Sequence, residues 1–345
     1  MSLILALETS CDDTCAAVVT GDGELRSNVI SSQGIHDEYG GVVPEIASRH
    51  HLELANAVVD DALRRAQATL DDVALVAVTQ GPGLVGALLV GVATAKGLAA
   101  ARGLPLAAVD HLQGHVAANF LRVDPSAGGR GRGRGAAPVM EPPFVCLIAS
   151  GGHTLLAHVE AHDGFAVLGG TLDDAAGEAF DKGARLLGLP FPGGPALERL
   201  ARDGDTRAFA FPVARNLAGL DFSFAGVKTS LLYKVRELGT DGARRHAADL
   251  AASFQHAIVE ALAARCEQAL AQTGLDRLAV GGGGAANGPL RERLGALGAA
   301  VGIPPRELCT DNAAMIGSAA RYVPAQPFPD YLALDAYASG ERAPA

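Results

Sequence analysis

Two imidazoles spaced four residues apart, His111 and His115, are the side chains of this sequence that point most directly to chemistry. They lie in Asp110-His111-Leu112-Gln113-Gly114-His115, just after an apolar run at 106–109. On a helix, positions i and i+4 share a face about one turn apart, so both rings reach one metal ion. A metallopeptidase would carry a glutamate next to the first histidine as its base. Here that position is Leu112, so a peptidase lacks its base. A third ligand is still needed. By type, His153, His158, His162 and Asp311 are candidates. Two histidines and a carboxylate suit Zn2+ or Fe2+ with positions left for a substrate oxygen. Asp311 sits in a polar turn before the last helix, where a carboxylate either projects or serves as an N-cap.

Three glycine-rich turns follow strand-like runs: Ser150-Gly151-Gly152, Gly193-Gly194 and glycines 281–284. Glycine there lets backbone N–H groups approach a phosphate or sugar closely. None matches a P-loop or a dinucleotide fingerprint, which disfavours both classes. Three such turns together suggest a nucleotide site. No G-x-S-x-G elbow occurs, and no Cys/His pair stands out as a nucleophile.

These groups need strands that end in polar turns. Apolar runs at 3–7 and 16–19 flank the polar knot Glu8-Thr9-Ser10-Cys11-Asp12-Asp13-Thr14. Runs at 144–149 and 155–159 flank Ser150-Gly151-Gly152-His153-Thr154 in the same plan, which suggests two lobes built by duplication. Residues 30–39 read as a loop or a third strand. Further strands are expected at 73–79, 106–109 and 278–280. Helices are expected at 44–67, with Pro44 near the first turn, from 84, at 248–272 closed by Gly274, from about 289, and as a last helix into which 307–316 leads. Strand and helix in alternation mean a parallel or mixed sheet with crossover helices, an α/β fold. The 171–188 stretch reads as helical and carries Asp173, Asp174, Glu178 and Asp181; 190–195 reads as an irregular loop. The Gly/Arg segment within 126–138 cannot pack a core and reads as a solvated loop, with an RNA-touching arm as the alternative. The tail after Pro324 is expected to wrap the surface.

A chain of 345 residues suggests two domains at roughly 100–200 residues each. With 49% hydrophobic and 19% charged residues it can build packed layers. A net charge of −10 argues against a non-specific nucleic-acid coat, so an RNA substrate must meet a local basic patch or one lent by a partner. The five cysteines, with no C-x-x-C, read as free thiols in a reducing cytosol. The first residues lack a basic n-region, so no signal peptide is expected. The apolar run at 84–101 is long enough to raise the question of a membrane span, but it contains Lys96, Thr94 and three glycines and reads as a buried helix.

At this point the motifs converge. Glu8-Thr9-Ser10-Cys11-Asp12-Asp13-Thr14, Gly40-Gly41-Val42-Val43-Pro44-Glu45, Gly81-Pro82-Gly83-Leu84, His111-Leu112-Gln113-Gly114-His115, Ser150-Gly151-Gly152-His153-Thr154, the 173–182 stretch, Pro192-Gly193-Gly194-Pro195, Asp221-Phe222-Ser223-Phe224 and Cys309-Thr310-Asp311-Asn312 occur in order. Together they resemble the TsaD family of tRNA threonylcarbamoyladenosine transferases, formerly called glycoproteases, from the first strand to about Tyr322. The resemblance implies the two-lobed actin/Hsp70/sugar-kinase fold, with duplicated mixed sheets flanked by helices and a cleft between the lobes. One lobe would comprise 1–110 plus about 318–345. The other, 111–317, would carry the metal and the donor site. It implies transfer of threonylcarbamoyl from threonylcarbamoyl-AMP to N6 of adenosine 37 in tRNAs that read codons beginning with A. Carried over by position, His111, His115 and Asp311 would hold one divalent ion, Fe2+ or Zn2+. Ile148, Ala149, Ser150, Gly151, Gly152, Asp181, Gly194, Glu198 and Asn287 would bind the nucleotide, the donor itself or ATP. Asp12, or its neighbour Asp13, would take the proton from the attacking amine. The implied partners are tRNA, a TsaB-like paralogue and a TsaE-like ATPase, in the cytoplasm and without a membrane. The chain departs from the family pattern at Gln113 and Asp13, where glutamate is frequent, and at Gly284-Ala285, where Val-Ser is typical. A kinase or ATPase of the same fold would instead need a catalytic Asp at a γ-phosphate. A non-catalytic scaffold would not need the intact His/His/Asp set.

Overall fold

Short apolar runs that end in polar turns make two mixed sheets, each packed with helices. The computed structural model describes residues 2–123, 139–214 and 217–338. The described residues of Met1–Glu141, His162–Gly164 and Asp311–Ala345 form one compact unit, and those of Pro142–Ala161 and Phe165–Thr310 form another.

In the first unit, β1 (Leu3–Glu8), β2 (Asp13–Thr20) and β3 (Leu25–Ser32) are an antiparallel meander. The strands β4 (Val73–Gly81) and β5 (Leu106–Asp110) add in parallel beside β1, joined by helix α2 (Val85–Arg102). Two residues of the tail, Ala325 and Gln326, pair antiparallel with β5. Strand periodicity sends Leu5, Leu7, Ala16 and Val18 into a core with α2 and with α1 (Pro44–Arg65). On the opposite face, Ala6 and Val19 lie under Gly317 of the terminal helix Ala313–Ala319, where an added Cβ would stand 2.8 Å from Val19. Both faces are covered, which is why β1 reads as unbroken apolar sequence. Of the 18 residues of α2, six are buried, while Val85 and Leu89 remain 40% and 44% exposed. It is the one helix among the described residues long and apolar enough to cross a membrane, and it packs by one face rather than being buried all round.

The second unit repeats the plan. Strands β6 (Phe144–Ala149), β7 (Thr154–Ala161) and β8 (Gly164–Gly170) are followed by β9 (Arg277–Gly281), parallel beside β6, and β10 (Ala300–Gly302), parallel beside β9. Its order β10-β9-β6-β7-β8 repeats the β5-β4-β1-β2-β3 of the first sheet. The long helix Ala247–Thr273 sends Phe254, Ile258, Leu262 and Cys266 into a core with Val145 and Leu147 of β6.

Three sequence expectations change. The division at 110/111 falls inside the first unit, so His111, His115 and Asp311 belong together there and not in a second lobe with the donor residues. The cause is packing: helix α3 (His111–Ala117) lies so close to the terminal helix that a Cβ on Gly114 would stand 2.8 Å from Ile316 Cδ1. Asp173 and Asp174 precede α4 (Ala176–Leu186) instead of lying on it. The carboxylate of Asp173 accepts from the N–H groups of Phe224 and Ala225 at 2.7 and 3.2 Å, which caps the helix Ala225–Arg245 and holds Asp173 in a loop. Gly193-Gly194-Pro195 opens helix α5 (Gly193–Ala201), since proline fits the first turn where no intrahelical donor is needed. The Gly/Arg segment at 126–138 lies outside the described residues.

Leu147 has no exposed surface. Leu147→Ala is expected to cost about 2–5 kcal/mol in urea unfolding. The exposed Val167→Ala is expected to stay within about 0.5 kcal/mol. Equal effects would contradict this placement of the core.

Candidate metal centre

Helix α3 begins where β5 ends. Asp110 caps it, accepting from Leu112 N at 2.8 Å and Gln113 N at 3.0 Å. This fixes the first turn and puts His111 and His115 on one face, ring centroids 4.7 Å apart. Asn312 caps the terminal helix by accepting from Met315 N at 3.0 Å. The cap is therefore Asn312, and Asp311, one residue earlier, is left to project. Its Oδ1 lies 3.6 Å from His111 Nε2 and 3.3 Å from His115 Nε2. One ligand atom from each of the three residues falls within 4.8 Å of the other two.

The surroundings fit a cation. His115 is fully buried, and among the described residues neither ring nitrogen has a hydrogen-bond partner, Nε2 facing Asp311 Oδ1 at 3.3 Å without the geometry of a hydrogen bond. An orphaned imidazole is costly unless a ligand completes it. Glu8 lies close by, and its Oε2 is 3.0 Å from His111 Nδ1. Burial opposes charge on His111, but Asp311 and Glu8 outweigh it and push the pKa up to about 9. Burial pushes Asp13 up to about 7, with Asp311, Asp12 and Glu8 adding to the rise and a hydrogen bond from Ser32 opposing it.

A buried chain of polar groups braces the turn that carries Asp12 and Asp13. Val43 N donates to His36 Nδ1 at 3.3 Å, so His36 Nε2 carries the proton and donates to Gln33 Oε1 at 3.0 Å. The Gln33 amide nitrogen then faces His51 Nδ1 at 3.4 Å, and the Thr14 hydroxyl faces that same nitrogen at 2.8 Å. With Nδ1 accepting, His51 Nε2 donates to the Cys11 carbonyl at 3.0 Å. Gln33 N also donates to Asp12 O at 3.2 Å.

Other expected residues fall elsewhere. His162 stacks on Tyr322 with centroids 4.5 Å apart, and His158 pairs with Glu160 at 3.4 Å. His153 closes the turn after β6, its N–H donating to Ser150 Oγ at 3.0 Å. None of them joins the ligand-distance group.

The expected donor residues gather in the second unit. Ile148 and Ala149 end β6, and Ser150-Gly151-Gly152 turn away from it. The loop after β9 comes so close that a Cβ on Gly282, at φ +84°, would stand 2.5 Å from the Ala149 carbonyl oxygen. Asp181 Oδ1 accepts from Gly193 N at 2.7 Å and Gly194 N at 3.3 Å. Asn287 Oδ1 caps the helix Gly288–Gly295, and its amide donates to Gln255 at 2.9 Å and to Glu198 at 3.4 Å. Two of the three glycine turns thus meet at the ends of adjacent strands. The third is tied to α4 through Asp181.

The model of the family TsaD: tRNA N6-adenosine threonylcarbamoyltransferase matches residues 24–318. The chain belongs to this family. It is 49% identical over 326 residues to the tRNA N6-adenosine threonylcarbamoyltransferase of Clostridium perfringens strain SM101, covering 93% of this chain and 92% of the relative. It is 48% identical over 325 residues to the enzyme of the same name from Clostridium botulinum strain 657, covering 92% of each. Among solved structures it is similar to component A of (R)-2-hydroxyglutaryl-CoA dehydratase from Acidaminococcus fermentans (TM-score 0.51, 15% identity, 94% of this chain and 98% of that one). It is also similar to full-length HypF in a phosphate- and nucleotide-bound form (TM-score 0.56, 13% identity, 93% of this chain and 55% of that one). At these identities the likeness is one of fold, the duplicated α/β plan of actin, Hsp70 and sugar kinases.

Sequence reasoning passed over Glu8, Thr79, Gln33, His36 and His51. Glu8 and Thr79 had a usable signal, polar residues at the ends of apolar strands. The partners of His36 and His51 come from other elements, which no local pattern reports.

A group whose pKa the fold raises contributes stability that is complete below its unfolded value and lost as pH rises through the folded one. His111 rises from 6.5 to about 9. Metal-free protein is therefore expected to lose thermal stability between pH 6.5 and 9, and His111→Asn to flatten that slope. A wild-type midpoint that climbs over this window would contradict the placement of His111 beside two carboxylates.

Proposed function

We propose that this chain transfers the threonylcarbamoyl group of threonylcarbamoyl-AMP to N6 of adenosine 37 in tRNAs that read codons beginning with A. The observation that carries the reading is a family match that spans both the His/His/Asp group and the glycine turns. The N6 amine attacks the carbamoyl carbon, a C–N bond forms, the C–O bond to phosphate breaks, and AMP leaves. AMP is a good leaving group, so much of the rate comes from positioning.

His111, His115 and Asp311 would hold one divalent ion, Fe2+ or Zn2+. Bound there, it supplies polarisation of a donor oxygen and offsets negative charge in the transition state. The N–H groups of the Ser150-Gly151-Gly152 turn suit phosphate or carboxylate oxygens, and Ile148 and Ala149 hold that turn. Asp181, with Gly194, suits a ribose diol, and Asn287 and Glu198 suit the adenosine side. The proton lost by the amine goes to the acidic turn at the end of β1. Asp12 or Asp13 takes it, and burial pushes Asp13 up to about 7, where a carboxylate can act as a general base. The chain works in the cytoplasm, with tRNA, a TsaB-like paralogue and a TsaE-like ATPase as partners. The acidic net charge fits an RNA site completed by partners.

Mixing the chain with those partners, tRNA and threonylcarbamoyl-AMP should yield N6-threonylcarbamoyladenosine on nucleoside mass spectrometry. No product, with sugar-dependent phosphate release from ATP instead, would contradict the reading. Asp13→Asn is expected to lower kcat by about 10²–10⁴ while donor binding persists. Full turnover in that variant would remove Asp13 as the base.

A further inference from the structure

Glu8 is the last residue of β1 and is 1% exposed. Both of its oxygens are engaged. Oε1 accepts from Ser10 N, and Oε2 accepts from the Thr79 hydroxyl at 2.6 Å. The same Oε2 lies 3.0 Å from His111 Nδ1, with Ser10 Oγ 3.1 Å from that nitrogen. An ionised carboxylate only accepts, so a neutral His111 facing it must carry its proton on Nδ1. The other ring nitrogen, Nε2, then keeps its lone pair on the side of Asp311. Among the described residues, His115 has no such partner on its Nδ1. The two histidines are therefore set differently: both face Asp311 through Nε2, but only His111 has a carboxylate on its Nδ1.

We propose that Glu8 is a positioning residue that fixes the tautomer and ring plane of His111, so that Nε2 is presented to a divalent cation. Thr79, on the neighbouring strand β4, fixes Glu8 in turn. The backbone contact to Ser10 and the hydroxyl of Thr79 tie the carboxylate to two strand ends and leave it acceptor capacity for a third partner. The third contact lies on the ring nitrogen opposite the metal-facing one, as in carboxylate–histidine–metal triads, where loss of the outer partner costs about 10–100-fold in metal affinity. The inference rests on the metal reading above.

The test is zinc binding to metal-free protein by competition with a chromogenic chelator, with 15N NMR of the histidine rings in the zinc-loaded state. Wild-type protein is expected to bind one zinc and show a slowly exchanging His111 Nδ1–H. Glu8→Gln is expected to bind about 10–100-fold more weakly and to lose that slow proton. Thr79→Val keeps the carboxylate but frees it, and is expected to lose a few-fold. It serves as the readout if Glu8→Gln does not fold. Unchanged affinity and an unchanged Nδ1–H signal in the variants would overturn the role of Glu8 and leave the metal reading standing. Failure of the wild type to bind zinc, iron(II) or cobalt(II) would overturn the metal reading and this inference with it.

Discussion

One carboxylate oxygen, from the turn before the terminal helix, lies 3.3 and 3.6 Å from two imidazole nitrogens of α3, about two hundred residues earlier in the chain. The chemistry proposed for the first unit depends on that approach. It is set by close packing, since a Cβ at position 114 would stand 2.8 Å from Ile316 Cδ1 and 3.2 Å from Met315 Cγ. It is also set by two caps. Asp110 turns the histidines inward, and Asn312 takes the capping role that would otherwise occupy Asp311.

The electrostatics reinforce the geometry. Burial raises the cost of ionising Asp13, and Asp311, Asp12 and Glu8 add to it, whereas His111 holds the buried Glu8 carboxyl below its ordinary value. In metal-free protein a proton on His111 offsets part of this charge. A divalent cation would offset more, and would do so beside the orphaned ring of His115. The acidic turn needs a fixed backbone to remain useful under that repulsion. The chain from Val43 through His36, Gln33 and His51 to the Cys11 carbonyl supplies it, with the Thr14 hydroxyl taking the shorter contact at His51 Nδ1.

Much of this was legible in the sequence. Strand–turn–strand repeats at 3–19 and 144–159 gave the duplicated sheets, because a strand buried on both faces reads as a continuous apolar run. The i, i+4 histidine pair was legible because helical spacing alone puts both rings on one face. Residue type and spacing alone left the third ligand open among His153, His158, His162 and Asp311; the family motifs pointed to Asp311, and the cap at Asn312 leaves its carboxylate beside the pair. The domain boundary was misread because it follows packing between α3 and the terminal helix, which are far apart in the chain. Asp173 was misplaced on a helix because its charge serves the N-terminus of a different one.

X-ray absorption spectroscopy of cobalt-substituted protein tests the central claim most directly. It should find one ion per chain with two imidazole nitrogens and oxygen donors at about 2.0–2.2 Å, and one imidazole fewer in His115→Ala. A spectrum without imidazole scattering, or one unchanged by His115→Ala, would contradict the account.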